Sequence, residues 1–258
     1  MDPAHVALAL VAAAGAGWVD AVVGGGGLLQ LPGLLLAAPT LPVATVLGTN
    51  KMASVAGTST AAVTYLRRTK VDWRVLGPAV GLALVFSGLG AALAGAVPAR
   101  AFRPVVLIAL AVVALVVTLR PTLGTGTGQD TVSRSRKLAA IGLTGIAVAT
   151  YDGAIGPGTG TFLILGFTAT LGVDFLHASA NAKAVNVATN LGALIVFAVG
   201  GHVDWLLGAA MAVANITGAR LGARTALRRG SGFVRVVLLV VVFALLVRLG
   251  FDEFFGSR

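Results

Sequence analysis

Two apolar stretches are each interrupted by an acid and a run of helix-breaking residues, and this limits the fold more than anything else in the chain. The first is Asp20-Ala-Val-Val-Gly24-Gly25-Gly26-Gly27, the second Asp152-Gly-Ala-Ile-Gly156-Pro157-Gly158-Thr159-Gly160. Glycine costs a helix about 1 kcal/mol relative to alanine and proline about 3 kcal/mol, so both runs end helices. They are 152 − 20 = 132 residues apart. The same spacing relates Lys51 to Lys183, Val71-Asp72-Trp73 to Val203-Asp204-Trp205, Leu89-Gly90-Ala91 to Leu221-Gly222-Ala223, and Arg103 to Arg235. Recurrence without a gap reads as two copies of one unit.

Composition says where those interruptions lie. Of 258 residues, 57% are hydrophobic and 11% charged, against about a quarter charged in soluble domains. Apolar segments run over 4–23, 27–38, 41–66, 75–97 and 101–119, then over 138–155, 160–173, 176–199, 206–227 and 232–250. Many approach the roughly 20 residues that a helix needs to cross a bilayer. The expected class is therefore all-α, a polytopic transmembrane helical bundle. The leader Met1-Asp2-Pro3-Ala4-His5 carries no Lys or Arg, so the first apolar run reads as part of the mature fold rather than as a signal peptide.

The expected organisation is a first transmembrane repeat over 1–119, a Gly/Thr/Ser-rich cytoplasmic linker over 120–137, and a second repeat over 138–258. Segments 27–38 and 160–173 are too short to span upright. At about 1.5 Å per residue, 12 residues reach roughly 18 Å of a roughly 30 Å core. They read as half-helices that start just after a glycine-rich break.

Loop charge predicts how the copies are oriented. Arg67, Arg68, Lys70 and Arg74 crowd one loop, whereas its counterpart, Gly200-Gly201-His202-Val203-Asp204, has neither Lys nor Arg. In the second copy the cations come one loop later, at Arg224, Arg228, Arg229 and Arg235. Positive charge gathers on the cytoplasmic side, so equivalent loops face opposite sides and the repeats are inverted. Both termini then lie outside, as do Arg100 and Arg103, against the charge trend. The same rule explains the net charge of +10 without nucleic acid as a partner.

Several chemistries are excluded. The chain has no cysteine, which removes disulfides and thiolate metal sites. His5, His177 and His202 sit at loops or helix starts, where a shared metal is not expected. No nucleotide-binding motif, GxSxG or HExxH is present, so neither ATP, another cofactor nor an enzymatic activity is expected.

What remains is polar chemistry inside apolar segments. Unwound backbone at membrane depth survives only where protein or a wet cavity satisfies it. Half-helix N-termini offer free N–H groups and a positive dipole end, a setting suited to an anion. The candidate cradle is the backbone of Gly25, Gly26 and Gly27 with that of Gly158 and Gly160, beside Thr159. Lys51 and Lys183 lie eight to ten residues into their segments. Each either snorkels to an interface or supplies positive charge to a cavity. Asn186 and Asn190 share a helix face with Lys183, and Asn50 adjoins Lys51. Asp20 and Asp152 either pair with the lysines or carry protons. Asp174 reads as a helix N-cap, and Trp73, Trp205 and Tyr65 as interfacial anchors. The spacings Gly77-Gly81 and Gly218-Gly222 read as close helix packing.

These residues resemble the TauE/SafE family of membrane proteins, described as exporters of sulfite and organosulfonates. The resemblance covers nearly the whole chain. It rests on Asp20, Gly24–Gly27, Leu31-Pro32, Leu47-Gly48-Thr49-Asn50-Lys51, Tyr151-Asp152-Gly153, Gly156-Pro157-Gly158-Thr159-Gly160, Lys183, Asn186 and Asn190. Met52 and Thr189, where leucine and serine are more usual, are mild departures. The resemblance implies a prokaryotic plasma-membrane carrier of small sulfur-containing anions or related carboxylates. The expected function is a secondary transporter, an exporter of sulfite or organosulfonate working by alternating access, with protons as a candidate coupling ion. An anion channel or a carboxylate carrier is the alternative. A small anion and the lipid bilayer are the expected partners; the oligomeric state is not legible.

Overall fold

The computed structural model describes residues 2–94, 115, 119, 124 and 132–255. Expected segment 101–119 apart from Leu115 and Leu119, linker residues 120–131 apart from Gly124, and Arg100 and Arg103 lie outside the described residues. All the described elements are helices: α1 (Pro3–Val23), α2 (Gly27–Ala37), α3 (Val43–Leu66), α4 (Trp73–Leu93), α5 (Arg134–Gly142), a π-helical turn (Leu143–Ala147), α6 (Val148–Ala154), α7 (Thr159–Leu171), α8 (Phe175–Val199) and α9 (Trp205–Phe255). Gly230, at φ 76°, splits α9 into arms 205–229 and 231–255. The helices Pro3–Val23, Trp73–Leu93 and Phe175–Val199 are long and apolar enough to span a membrane, and Gly27–Ala37 and Thr159–Leu171 are short apolar helices. This is the all-α, membrane-type architecture that composition implies.

Local signals set the helix ends. The Asp2 carboxylate accepts from Ala4 N at 3.0 Å, with Pro3 in the first turn. Asp72 does the same for Arg74 N at 3.0 Å, and Asp204 for Leu207 N at 3.0 Å. Asp174 accepts from Leu176 N and His177 N at 2.7 and 3.0 Å, the capping role that its position suggested. Burial pushes the Asp174 carboxyl up. The bonds from the His177 backbone, the Ser231 hydroxyl and the His177 ring outweigh it and hold the group below the ordinary aspartate value. Helix starts recur at one interval: 159 − 27, 175 − 43 and 205 − 73 are each 132.

Packing is exchanged between counterparts at that interval. The most extensive contacts are α1 with α9, α3 with α9, α4 with α8, α3 with α8, and α4 with α6. Adding or subtracting 132 turns α1–α9 into α6–α4 and α3–α9 into α8–α4. α3 and α8 run antiparallel: Gly48, early in α3, abuts Phe197, late in α8, while Tyr65, late in α3, meets Ser179, early in α8. α3 and α9 run parallel, with Thr49 Oγ1 accepting from Asp204 N at 2.9 Å, Met52 against Gly208, and Gly57 against Asn215. The loop 200–204 thus lies beside the start of α3, whereas loop 67–72 lies at its far end. Seventeen residues from Thr49 to Leu66 make that separation roughly 26 Å.

Two expectations are corrected. Tyr65 is no interfacial anchor: it is fully buried and its hydroxyl donates to Ala21 O at 2.9 Å. Trp73 and Trp205 are exposed, at 63% and 58%. Gly218 and Gly222 do press on the carbonyls of Ala14 and Trp18, but Gly77 and Gly81 touch nothing among the described residues. The first pair serves close approach; the second has no such role there. Gly90 repeats the Gly222 contact against the carbonyl of Thr150.

A side chain at those contacts would have to displace backbone. Gly90→Val and Gly222→Val should each destabilise the protein by about 1–3 kcal/mol, read as a lower thermal midpoint by intrinsic fluorescence in detergent. Gly77→Ala should leave the midpoint unchanged or slightly raised; equal midpoints for all three variants would refute the packing.

Candidate functional site

The site begins with what becomes of the broken helix ends. The last carbonyls of a helix lack intrahelical donors, and a membrane core offers no water to replace them. At the end of α1, Gly24 turns left-handed (φ 82°) and its N–H bonds Asp20 O at 2.8 Å. Tyr65 caps Ala21 O, and Thr161 Oγ1 donates to Val23 O at 2.8 Å. At the end of α6, Lys51 Nζ donates to Asp152 O at 3.1 Å, and the Tyr151 hydroxyl donates to Pro157 O at 2.6 Å. Side chains from other helices, with Tyr151 of α6 itself, thus complete both breaks. The backbones of Gly24 and Gly160 touch, so a Cβ on either would collide with the other.

Two buried ion pairs cross the same region. Lys51 Nζ lies 2.7 Å from Asp152 Oδ2, with side chains 6% and 3% exposed. Lys183 Nζ lies 3.0 Å from Asp20 Oδ2, at 0% and 16%. Each lysine therefore reaches not the acid 31 residues before it but the one 132 residues from that acid. Thr58 Oγ1 adds a bond to Asp20 Oδ2 at 3.3 Å. Of the two readings open for the lysines, snorkelling does not describe side chains this buried. Of those for the acids, the pairing with lysine is what the geometry displays.

A cavity of about 30 Å³ opens beside the first pair. At the roughly 10–15 Å³ that one water needs, it holds two or three waters or one small ion. Lys51, Asp152, Asp20, Asn50, Asn186, Asn190, Thr159, Gly26, Gly27, Gly158 and Gly160 line it. Two expected members do not: Lys183 is sealed beneath Asp20, and Gly25 faces Val19 and Val241. Gly24 and Gly156 line it instead. Gly27 and Gly160, in the first turns of α2 and α7, have no intrahelical acceptor for their N–H groups, and no turn bond takes them up.

The amides differ in how well they are satisfied. Asn190 Nδ2 donates to Asn186 O and Oδ1 at 2.8 and 3.1 Å. Thr159 Oγ1 donates to Gly156 O at 2.6 Å. Asn50 Oδ1 is buried with no hydrogen-bond partner among the described residues, a costly arrangement that a water or another hydrogen-bond donor relieves.

Sequence reasoning overlooked Gln30, Asn215, Ser54 and Thr58, which also line the cavity. Asn215 Nδ2 donates to Gln30 Oε1 at 2.6 Å and to Ala13 O at 3.1 Å, and Gln30 Nε2 reaches Asn50 O at 3.4 Å. The signal was present: each amide is a lone polar residue in an apolar run, and such residues in a membrane segment face a partner or a cavity.

Chemically, the wall offers donors, and its charge is balanced once Lys183, behind Asp20, is counted. Two ammonium groups face two carboxylates, so the ionised quartet is neutral, while the free N–H groups and helix dipoles add positive potential. Removing one member of a buried pair typically costs about 3–5 kcal/mol, because the other charge is stranded. Asp152→Ala should lower the thermal midpoint accordingly, and adding Lys51→Met should recover much of the loss. A double mutant no more stable than Asp152→Ala alone would show the pair to be uncoupled.

Comparison with known proteins gives the chain a family. The family model described as sulfite exporter TauE/SafE matches residues 9–249. The chain is 34% identical over 250 residues to "Probable membrane transporter protein ORF9" of Sinorhizobium sp, covering 95% of this chain and 92% of that one. It is 33% identical over 238 residues to "Probable membrane transporter protein YfcA" of Escherichia coli (strain K12), covering 92% and 87%. A "Probable membrane transporter protein" of Haemophilus influenzae is 30% identical over 242 residues, covering 92% and 91%. No solved structure matches the chain. With a family model spanning nearly all of it and relatives matched over most of their length, the chain belongs to the sulfite exporter TauE/SafE family of membrane proteins.

Proposed function

We propose that this membrane transporter carries small anions, sulfite or organosulfonate, out of a prokaryotic cell by alternating access, with proton coupling at Asp152. One observation carries the reading: Lys51, the ammonium group that lines the cavity, is neutralised by Asp152 at 2.7 Å. An anion that takes up Lys51 must compete with that carboxylate. Protonating Asp152 removes the competitor, so a monovalent anion (hydrogensulfite or a sulfonate) and a proton enter the site together at no net charge. The family description supports a sulfur oxyanion as cargo, and a cavity of about 30 Å³ suits a small one. The donor set suits a carboxylate equally, which keeps lactate-like anions as the second reading.

Inverted repeats supply the alternation in this proposal. The antiparallel course of α3 and α8, the 132-residue interval between helix starts, and the placement of loops 67–72 and 200–204 at opposite ends of α3 support it. So does the breakage of helices at a shared site. The arginines near the end of α3 and those of α9 lie at one level, since the two helices run parallel. The positive-inside rule makes that end cytoplasmic and places both termini outside. Repeats over 1–119 and 138–258 joined by the linker 120–137 are part of the same reading. A channel is disfavoured by a cavity with room for only about two or three waters and crossed by an ion pair.

Lys51→Ala should reduce sulfite flux in proteoliposomes at least tenfold, and Asp152→Asn should leave flux that no longer responds to an imposed pH gradient. Wild-type coupling in Asp152→Asn would end the proton assignment, and wild-type flux in Lys51→Ala would end the anion assignment. A thermal-shift series with sulfite, sulfate, taurine, sulfoacetate and lactate separates the cargo classes: stabilisation by lactate but not sulfite would favour the second reading.

A further inference from the structure

A second concentration of cations lies away from the cavity. Between α3 and α9 is a groove of about 830 Å³ lined by Arg67, Arg68, Arg220, Arg224 and Arg228. Its wall on α3 also carries the hydroxyls of Ser59, Thr60 and Thr64. Arg220, Arg224 and Arg228 recur at i, i+4 and i+8, so they form one ladder roughly 12 Å long. Because α3 and α9 run parallel, Arg67 and Arg68 sit at the level of the ladder's later members.

Among the described side chains no acid offsets this charge. Among the described residues, Asp20 and Asp152 hold the two lysines, Asp72 holds Lys137 at 2.8 Å, Asp174 holds His177, and Asp2 and Asp204 cap helices. None is within ion-pair distance of the five arginines. Five guanidinium groups gathered in one groove repel each other unless an anion joins them. Guanidinium groups match phosphate oxygens in geometry as well as charge.

Position identifies the source of the anion. On α3 the cavity is lined by Asn50, Lys51, Ser54 and Thr58, and the groove by Thr60, Val63, Thr64 and Arg67. At 100° per residue these sets point in nearly opposite directions, so the groove is on the outer flank and not on the route to the cavity. Exposed apolar side chains adjoin it on the same two helices: Val63 at 48%, Val213 at 67% and Leu221 at 57%. Cations at the end of an apolar, outward-facing surface are placed where a membrane protein meets headgroups, with apolar area for acyl chains beside them.

We propose that the arginine groove between α3 and α9 binds the phosphate headgroup of an anionic phospholipid, whose acyl chains lie along the exposed apolar flank. The site is separate from the anion cavity and does not depend on the transport reading. The test is thermal stability of the detergent-purified full chain with added phosphatidylglycerol, cardiolipin, phosphatidylcholine or inorganic phosphate. Binding to the folded state raises the midpoint. Phosphatidylglycerol and cardiolipin should raise it by about 2–4 °C, the size of shift that a modest ligand gives a chain of this length. Phosphatidylcholine and inorganic phosphate should not. The shift should be lost in Arg220→Gln/Arg224→Gln/Arg228→Gln, and also in Arg67→Gln/Arg68→Gln on the facing wall, which guards against a misfolded triple variant. An equal shift with phosphatidylcholine, the same shift with inorganic phosphate, or a shift retained in both variants would overturn the proposal.

Discussion

Two crossed ion pairs set the terms for everything around them. A lysine in an apolar bundle is tolerated only beside a counter-charge, because desolvating an isolated ion is far too costly. Lys51 finds Asp152, and Lys183 finds Asp20. Each pair joins sequence positions more than 100 residues apart, so neither half of the chain can bury its own lysine alone. The exchanged helix packing has the same consequence. α1 leans on α9 and α6 on α4, and small residues let backbones approach where the pairs must close.

The helix breaks follow from the same requirement. Both acids lie near helix ends, and a helix end buried in an apolar bundle needs its carbonyls satisfied. Tyr65, Thr161 and Lys51 do this from neighbouring helices. Glycine is indispensable at two points here: Gly24 takes a left-handed conformation, and Gly160 lets the second break press against it. The result is a small polar chamber, rich in donors, whose charge balances only with Lys183 counted behind Asp20. The basic groove on the outer flank differs in each respect, being larger, unpaired among the described residues and bordered by exposed apolar side chains.

Where the sequence was legible, a local signal had no competitor. Helix starts after Pro42, Asp72, Asp174 and Asp204 are written in capping residues and proline. The glycine runs announce their breaks. Tyr65 misled because an aromatic near a helix end has two homes, the headgroup region and a hydrogen-bonded core position, and only packing decides between them. Gly77 and Gly81 misled for a related reason, since small-residue spacing says that two helices can approach but not that a second helix is there. Gln30 and Asn215 went unnoticed because their partner is each other, 185 residues apart.

From the sequence by itself came the class, an all-helical membrane protein, the places where helices break, the 132-residue interval and the family. The class and the breaks depend on composition, periodicity and backbone propensity, which act within a few turns of chain; the interval and the family rest on matching motifs. Tertiary structure alone decided which acid each lysine meets, which lysine reaches the cavity, and where five arginines gather. The lysines keep the 132-residue interval, yet Lys51 lines the chamber and Lys183 is sealed under Asp20. Sequence equivalence cannot foresee that difference, because it arises from contacts between helices that the chain brings together only on folding.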